Sequence, residues 1–180
     1  MGCGMSIVER VIGHIDTLSP RPGGIDRVML TSEERASAHM VAHSEGGRSI
    51  RLSLPRGTEL NDGDVLAVEG DTALVVGAAV EDLFFVSPKD AYQAGVAGYQ
   101  LGNLHRPVRF TEAALLTPAD PMVADLLKRL GIAFEARRAP FIGQRYGAYA
   151  GHHHGPAGHD HHAHGHHAHT HAPEPGSHEG

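Results

Sequence analysis

The last thirty residues of this chain place the strongest limit on how the rest can fold. Residues 151–180 hold twelve histidines among glycine, alanine and proline, and they contain no Lys, Arg, Leu, Ile, Val or Phe. A segment of this composition cannot bury enough apolar surface to offset the conformational entropy lost on ordering. We therefore predict a disordered tail, called here the His-rich segment, and expect the folded core to form within residues 1–150.

The chemistry of imidazole predicts a role for the His-rich segment. A neutral imidazole is the commonest side-chain metal ligand and suits Ni²⁺, Cu²⁺, Zn²⁺ and Co²⁺. Two simpler explanations are an affinity tag and a disordered tail whose composition has no function. A tag is disfavoured because other residues interrupt the histidines, and a composition without function is disfavoured because the histidines are so frequent. We predict a collector of divalent metal whose ligands are His152, His153, His154, His159, His161, His162, His164, His166, His167, His169 and His171.

Charge and hydropathy exclude several classes of protein. The formal net charge is −6, and no basic patch indicates nucleic-acid binding. Neither a membrane-spanning apolar run nor a secretory signal is evident, so we expect a cytoplasmic protein that does not bind membranes. The single cysteine, Cys3, excludes an internal disulfide and every cysteine-based zinc motif.

Short runs rich in Val and Ile, separated by turn residues, dominate residues 1–80. We predict strands at residues 7–12, 27–31, 65–68 and 73–80, and a hairpin of residues 38–43 and 49–54 around residues 44–47. This region is expected to be an all-β small barrel or sandwich. His39 and His43 would lie on one face of a strand. Without an acidic or cysteine partner nearby, we interpret them as ordinary surface or edge histidines.

The pattern changes in residues 81–150, where helical signals alternate with strands. Ser87 and Pro88 are predicted to begin a helix at residues 89–101, and a second helix is expected to open at residues 118–121 and end at Gly131. Strands are predicted at residues 82–86, 105–110, 112–116 and 132–138. The order β-α-β-β-α-β predicts a ferredoxin-like domain, so the fold class is α+β with a disordered tail at residues 151–180.

His105 is the candidate site residue of the folded region. We expect Gly102 to end the first helix in a left-handed turn, so that His105 projects from a rigid corner. A single histidine beside a helix end is more often a solvated loop residue, and both interpretations are open on this argument alone. No phosphate-binding loop, nucleophile with a matched base or spaced carboxylate pair occurs, which indicates that the protein is not an enzyme.

Several short motifs occur in an order that matches a known family. They are residues 54–58, residues 62–66, the Gly-Asn-x-His-x-Pro segment within residues 99–107, the leucines and glycine of residues 126–131, Phe141, and Gly-Ala-Tyr at residues 147–149 before the His-rich segment. The chain resembles the urease accessory protein E family of cytosolic nickel metallochaperones. The resemblance covers nearly the full length of the chain.

This resemblance implies a homodimer in which His105 of each subunit binds one shared Ni²⁺. It also implies that a histidine just past residues 147–149, among His152, His153 and His154, completes the metal site, and that the β-rich first half binds partner protein. The nickel would pass to the urease accessory GTPase, protein G, and then to the urease apoprotein complex. Some relatives carry further histidines where this chain has residues 116–121, which contain none. Zn²⁺ or Cu²⁺ could bind in vitro, because Cu²⁺ exceeds Ni²⁺ at nitrogen ligands.

Two other functions are open on sequence grounds. In the first, the protein stores or detoxifies metal and the His-rich segment carries the whole function. In the second, it is a protein-binding adaptor in metalloenzyme assembly and its histidines are incidental. Nickel binding by a chain truncated after Ala150 distinguishes the first from a chaperone, and a His105→Ala variant distinguishes the second.

Overall fold

A computed structural model describes residues 6–145 of the chain. Cys3 and the whole His-rich segment, with its eleven predicted ligands, lie outside the described residues. The described part consists mostly of β-strands, in three sheets, with three helices. It is therefore an α+β protein. Within residues 6–145, no helix is both long enough and apolar enough to cross a membrane.

The first half of the described chain contains two small sheets. One has the strand order β1-β5-β4 and the other the order β2-β6-β7-β3. The elements are β1 (Ser6–Val8), β2 (Gly13–His14), β3 (Gly24–Leu30), α1 (Ser32–Arg35), β4 (His39–His43), β5 (Ser49–Ser53), β6 (Asp64–Glu69) and β7 (Thr72–Ala78). The two sheets share a core that includes Val28, Ile50, Leu52, Leu74 and Val76.

Alternation of apolar and polar residues predicted the hairpin of this half correctly. β4 and β5 pair antiparallel with Met40 opposite Leu52, and Ile50 and Leu52 are buried. The predicted strand at residues 7–12 ends instead at Val8, and the strand predicted to reach residue 80 ends at Ala78. The backbone N–H of Ala79 donates to the carbonyl of Leu30, and the chain then enters a different sheet.

The prediction that the first half is all-β was wrong at α1. Thr31 and Glu34 form a capping box, in which each side chain accepts a hydrogen bond from the backbone N–H of the other residue. This pattern starts helices because it satisfies two N–H groups that have no partner within the helix. The predicted strand at residues 27–31 includes Thr31, which is instead the N-cap of α1 directly after β3 ends at Leu30.

The second half has the element order β-α-β-β-α-β followed by one further short strand. Its elements are β8 (Val80–Ser87), α2 (Ala91–Asn103), β9 (Pro107–Phe110), β10 (Leu115–Pro118), α3 (Pro121–Arg129), β11 (Ala133–Pro140) and β12 (Gln144–Arg145). The sheet order is β11-β8-β10-β9-β12. Both helices pack on one face of this sheet, where Ala97, Leu101, Val123 and Leu127 share a core with Val86.

Two predicted boundaries in this half were wrong, and one strand was missed. Ser87 is the last residue of β8, and the N-cap of α2 is Asp90, whose carboxylate accepts from the backbone N–H of Gln93 at 2.8 Å. A carboxylate is also favoured there by the helix dipole. β10 begins at Leu115 because residues 111–114 form a turn closed by Thr111 and Ala114. The short strand β12 was not predicted.

Candidate metal-binding corner

His105 lies just past the C-terminus of α2, in a left-handed backbone conformation. The turn formed by residues 104–106 is called here the corner. Its φ is +54°, and among residues 6–145 no other non-glycine residue has a positive φ. The helix extends to Asn103 and its C-cap is Leu104. The prediction that Gly102 would provide the left-handed turn was therefore wrong, since Gly102 is inside the helix and His105 itself makes the turn.

Two backbone hydrogen bonds fix this turn. The N–H of His105 donates to the carbonyl of Gly102 at 2.9 Å, and the N–H of Arg106 donates to the carbonyl of Leu101 at 3.1 Å. This is a Schellman motif, whose left-handed position is usually glycine because a Cβ is disfavoured there by roughly 1–2 kcal/mol. A residue that accepts such strain when glycine would relieve it marks a candidate functional site.

The imidazole of His105 is presented to solvent without competing interactions. The residue is exposed, and within the described chain its ring makes no hydrogen bond or ion pair. No cluster of three or more His, Cys, Asp or Glu side chains in residues 6–145 could hold a metal ion. Within the described chain the corner therefore presents one exposed imidazole, and it does not form a site of three or more such side chains.

Two arginine side chains, Arg106 and Arg145, anchor the corner. The Arg106 guanidinium pairs with the carboxylate of Asp120, and the other oxygen of that carboxylate accepts from Met122 N at the start of α3. The Arg145 guanidinium donates to the carbonyl oxygen of His105 at 3.0 Å. Arg106 thus connects the corner to α3, and Arg145 connects it to β12.

The last described strand also ends near the corner. β12 pairs with β9, placing Arg145 opposite Pro107, two residues after His105. The chain therefore leaves the described region beside the candidate ligand. The predicted ligands of the His-rich segment begin at His152, outside the described residues.

The other histidines of the folded region lie in different sheets. His39 and His43 are exposed on β4, at the edge of the β1-β5-β4 sheet, as expected for surface histidines. His14 lies on β2, where its Nε2 is 3.0 Å from the carbonyl oxygen of Asp62. None of these three belongs to a group within residues 6–145 that could hold a metal.

Two arginines near the corner were missed by sequence reasoning. Arg35 is 4% exposed and donates to the carbonyls of Leu30 and Phe141. Burial lowers the pKa of its guanidinium, and the carboxylates of Glu81, Glu59 and Asp62 oppose this shift. The other is Arg145. No motif marks either residue, because their contacts join parts of the chain that are distant in sequence.

The fold and the site define the class of protein as a two-part α+β chain with an exposed histidine at an anchored helix end. A family model described as the UreE urease accessory protein, N-terminal domain, matches residues 8–79, and the corresponding C-terminal domain model matches residues 81–171. The chain belongs to the UreE family of urease accessory proteins. The resemblance inferred from the short motifs is thereby confirmed.

Individual relatives agree with the family models. The urease accessory protein UreE of Geobacillus kaustophilus is 34% identical over 132 residues, which make up 73% of this chain and 89% of that protein. The UreE of Burkholderia thailandensis is 36% identical over 151 residues, covering 83% of this chain and 70% of the relative. The UreE of Burkholderia ambifaria is 39% identical over 127 residues, covering 70% of this chain and 62% of the relative.

Proposed function

We propose that this protein is a nickel metallochaperone that delivers Ni²⁺ for maturation of the urease active site. Its cargo is held at a homodimer interface by His105 of each chain. The observation that carries the proposal is the exposed imidazole of His105, which has no partner within residues 6–145 and stands on an anchored, left-handed corner. A histidine in a permanent metal site usually donates its second ring N–H to a neighbouring group, which fixes the orientation of the ring. A site that passes its metal on to another protein has less need of such a hydrogen bond.

The proposed domain organisation assigns residues 1–80 to a β-rich barrel or sandwich that binds partner protein. It assigns residues 81–150 to a ferredoxin-like domain for metal binding and dimerisation, and residues 151–180 to a metal-collecting tail. The strand order β11-β8-β10-β9, with both helices on one face, supports the second assignment. The two family matches, which meet between residues 79 and 81, support the first boundary.

The outer face of α2 supports a dimer that would bring two copies of His105 together. Tyr92 and Tyr99 lie two turns apart on this face and are 80% and 69% exposed, with the exposed Gly95 between them. Aromatic side chains are enriched in interface cores, and glycine allows close approach of a partner. A two-fold axis past the end of this helix would place two corners side by side.

The His-rich segment would supply the remaining ligands and raise the local metal concentration. His152 is seven positions after Arg145, and an extended chain of seven residues spans at most roughly 25 Å. His152, His153 and His154 are therefore within reach of the corner. Tethered ligands rebind an escaping ion intramolecularly, which favours supply over permanent storage.

The proposed partners follow from family membership. They are a second copy of the chain, the urease accessory GTPase (protein G) and the urease apoprotein complex. We propose a cytoplasmic protein that is not an enzyme and that binds neither nucleic acid nor membrane. Zn²⁺ and Cu²⁺ are expected to compete in vitro, because preference at nitrogen ligands follows the Irving–Williams order.

Calorimetric nickel titration of four proteins tests the proposal. These are the full-length chain, the chain truncated after Ala150, and a His105→Asn variant of each. The truncated chain should retain about one Ni²⁺ per dimer, and truncated His105→Asn should retain none. If the truncated chain binds no nickel at all, there is no nickel site at the corner. The histidine content of residues 151–180 would then favour metal storage as the function.

Urease activation tests delivery separately from binding. At limiting nickel, His105→Ala should fail to support activation of urease. Unchanged activation would leave an adaptor role for the β-rich half.

A further inference from the structure

We propose that Arg145 is a positioning residue that couples the first half of the protein to the His105 corner. The inference deepens the proposed function and rests on it for its consequence, the control of metal release. A partner that displaces the contacts of Arg145 with the first half would loosen the corner that holds the cargo. The contact itself is a property of the metal-free protein.

Arg145 contacts three groups from separate parts of the chain. Its Nη1 donates to the carbonyl of His105 at 3.0 Å, and its Nη2 makes a longer contact of 3.4 Å with the carbonyl of Ser32 in α1. Its Nε lies 3.5 Å from the carboxylate of Glu59. The side chain is 22% exposed, so solvent only partly screens these interactions. One guanidinium therefore joins the candidate metal ligand to two segments of the first half.

The single-turn helix α1 is the part of the first half that receives this contact. Ser32 is 2% exposed, and both its backbone N–H and its hydroxyl donate to the carboxylate of Glu81 in β8. Arg35, at the other end of the turn, donates to the carbonyl of Phe141 at 2.8 Å. Three side chains thus connect α1 to the second half, and only Arg145 continues to His105.

The corner needs such support because His105 is held in a disfavoured conformation. A non-glycine residue stays left-handed only when its surroundings fix it there. The N–H of Arg106 and the carbonyl of His105 belong to one peptide group, whose N–H donates to the carbonyl of Leu101 and whose oxygen accepts from the Arg145 guanidinium. Arg145 therefore holds the second polar atom of the peptide group that follows the Cα of His105. A hydrogen bond from a charged donor is stronger than one between neutral groups.

The Nε of Arg145 makes this contact suited to release. Nε is buried and has no hydrogen-bond partner within the described residues, although Glu59 lies nearby at 3.5 Å. An unsatisfied buried donor weakens the state that contains it. A shift of α1 or Glu59 on partner binding would therefore move the guanidinium away from His105, and the unsatisfied Nε offsets part of the cost of breaking its other contacts.

Hydrogen exchange of the full-length, metal-free protein tests the contact directly. The informative amides are those of His105 and Arg106, which donate in the Schellman motif. Arg145→Gln should accelerate their exchange about tenfold, and Arg145→Lys should accelerate it less because one donor and the charge remain. Arg48→Gln is the matched control, since Arg48 is 33% exposed and pairs with Asp26 and Glu69 in the first half.

The nickel off-rate, measured by chelator competition, tests the coupling. Arg145→Gln should raise the off-rate several-fold and Glu59→Gln should raise it less. The double variant should differ little from Arg145→Gln, because Glu59 acts through the arginine. Arg48→Gln should leave the off-rate unchanged.

The outcomes separate this inference from the proposed function. If Arg145→Gln leaves amide exchange at His105 and Arg106 unchanged, the positioning role is wrong, even if His105→Asn abolishes nickel binding. If exchange accelerates but the off-rate is unchanged, the coupling to metal release is wrong. If the truncated His105→Asn chain still binds nickel, the proposed function is wrong, and the amide exchange still tests the contact.

Discussion

Replacing His105 should separate the stability of the protein from its nickel binding. The left-handed backbone disfavours any Cβ by roughly 1–2 kcal/mol, so His105→Gly removes this cost. Glycine also adds about 0.4–1 kcal/mol of unfolded-state entropy to overcome. The net expectation is a stability increase of between about 0 and 1.6 kcal/mol. Because the ring is exposed and has no partner within residues 6–145, no packing energy should be lost.

His105→Asn and His105→Ala complete the series. Asparagine tolerates the left-handed region, so its stability should match or slightly exceed the parent, and alanine keeps the Cβ and should change stability by less than about 0.5 kcal/mol. All three variants should lose nickel at the corner. Urea denaturation with a chelator present measures the stability, and titration of chains truncated after Ala150 measures the binding.

Two results would refute the reasoning. If His105→Gly lost more than about 1 kcal/mol, the histidine side chain would have a packing role that the argument omits. If any of the three truncated variants kept its nickel, the left-handed histidine would not be the ligand. A stable variant that has lost nickel is the outcome that supports a strained functional corner.

Further predictions concern pH and the supports of the fold. Nickel loading of the full-length protein should fall as pH drops from about 7.5 to 5, because ordinary imidazoles protonate near 6.5 and then cannot ligate; equal calorimetric uptake at both ends would contradict imidazole ligation. Asp120→Ala should cost about 1–2 kcal/mol in urea denaturation, because it removes both the α3 N-cap and the ion pair with Arg106, whereas the exposed Asp125→Ala should cost almost nothing. Similar losses for the two variants would argue against this role of Asp120. Gly63→Ala should cost more than about 1 kcal/mol, since its φ is +89° and a Cβ would lie 2.3 Å from His14 Nε2. Gly13→Ala, which meets open space, is the control, and equal melting temperatures would count against the steric argument.

The periodicity of the sequence determined most of the secondary structure. Alternating residues around Ile50 and Leu52 predicted the hairpin, and the spacing of Leu126, Leu127 and Leu130 before Gly131 predicted the second helix of the second half. These patterns work because a strand or a helix repeats locally, every two residues or every 3.6 residues. Boundaries were less well predicted, since Asp90 rather than Ser87 caps α2.

By itself, the sequence also determined the candidate ligand, the His-rich composition of residues 151–180 and the family. It could not determine that His105 would be the left-handed residue, because Gly102 is three residues earlier and is the more usual choice for that role. Only the tertiary structure brings Arg145 to His105, 40 residues away, and to Ser32, 113 residues away. Contacts at such separations leave no local pattern, since they depend on how the two halves pack together.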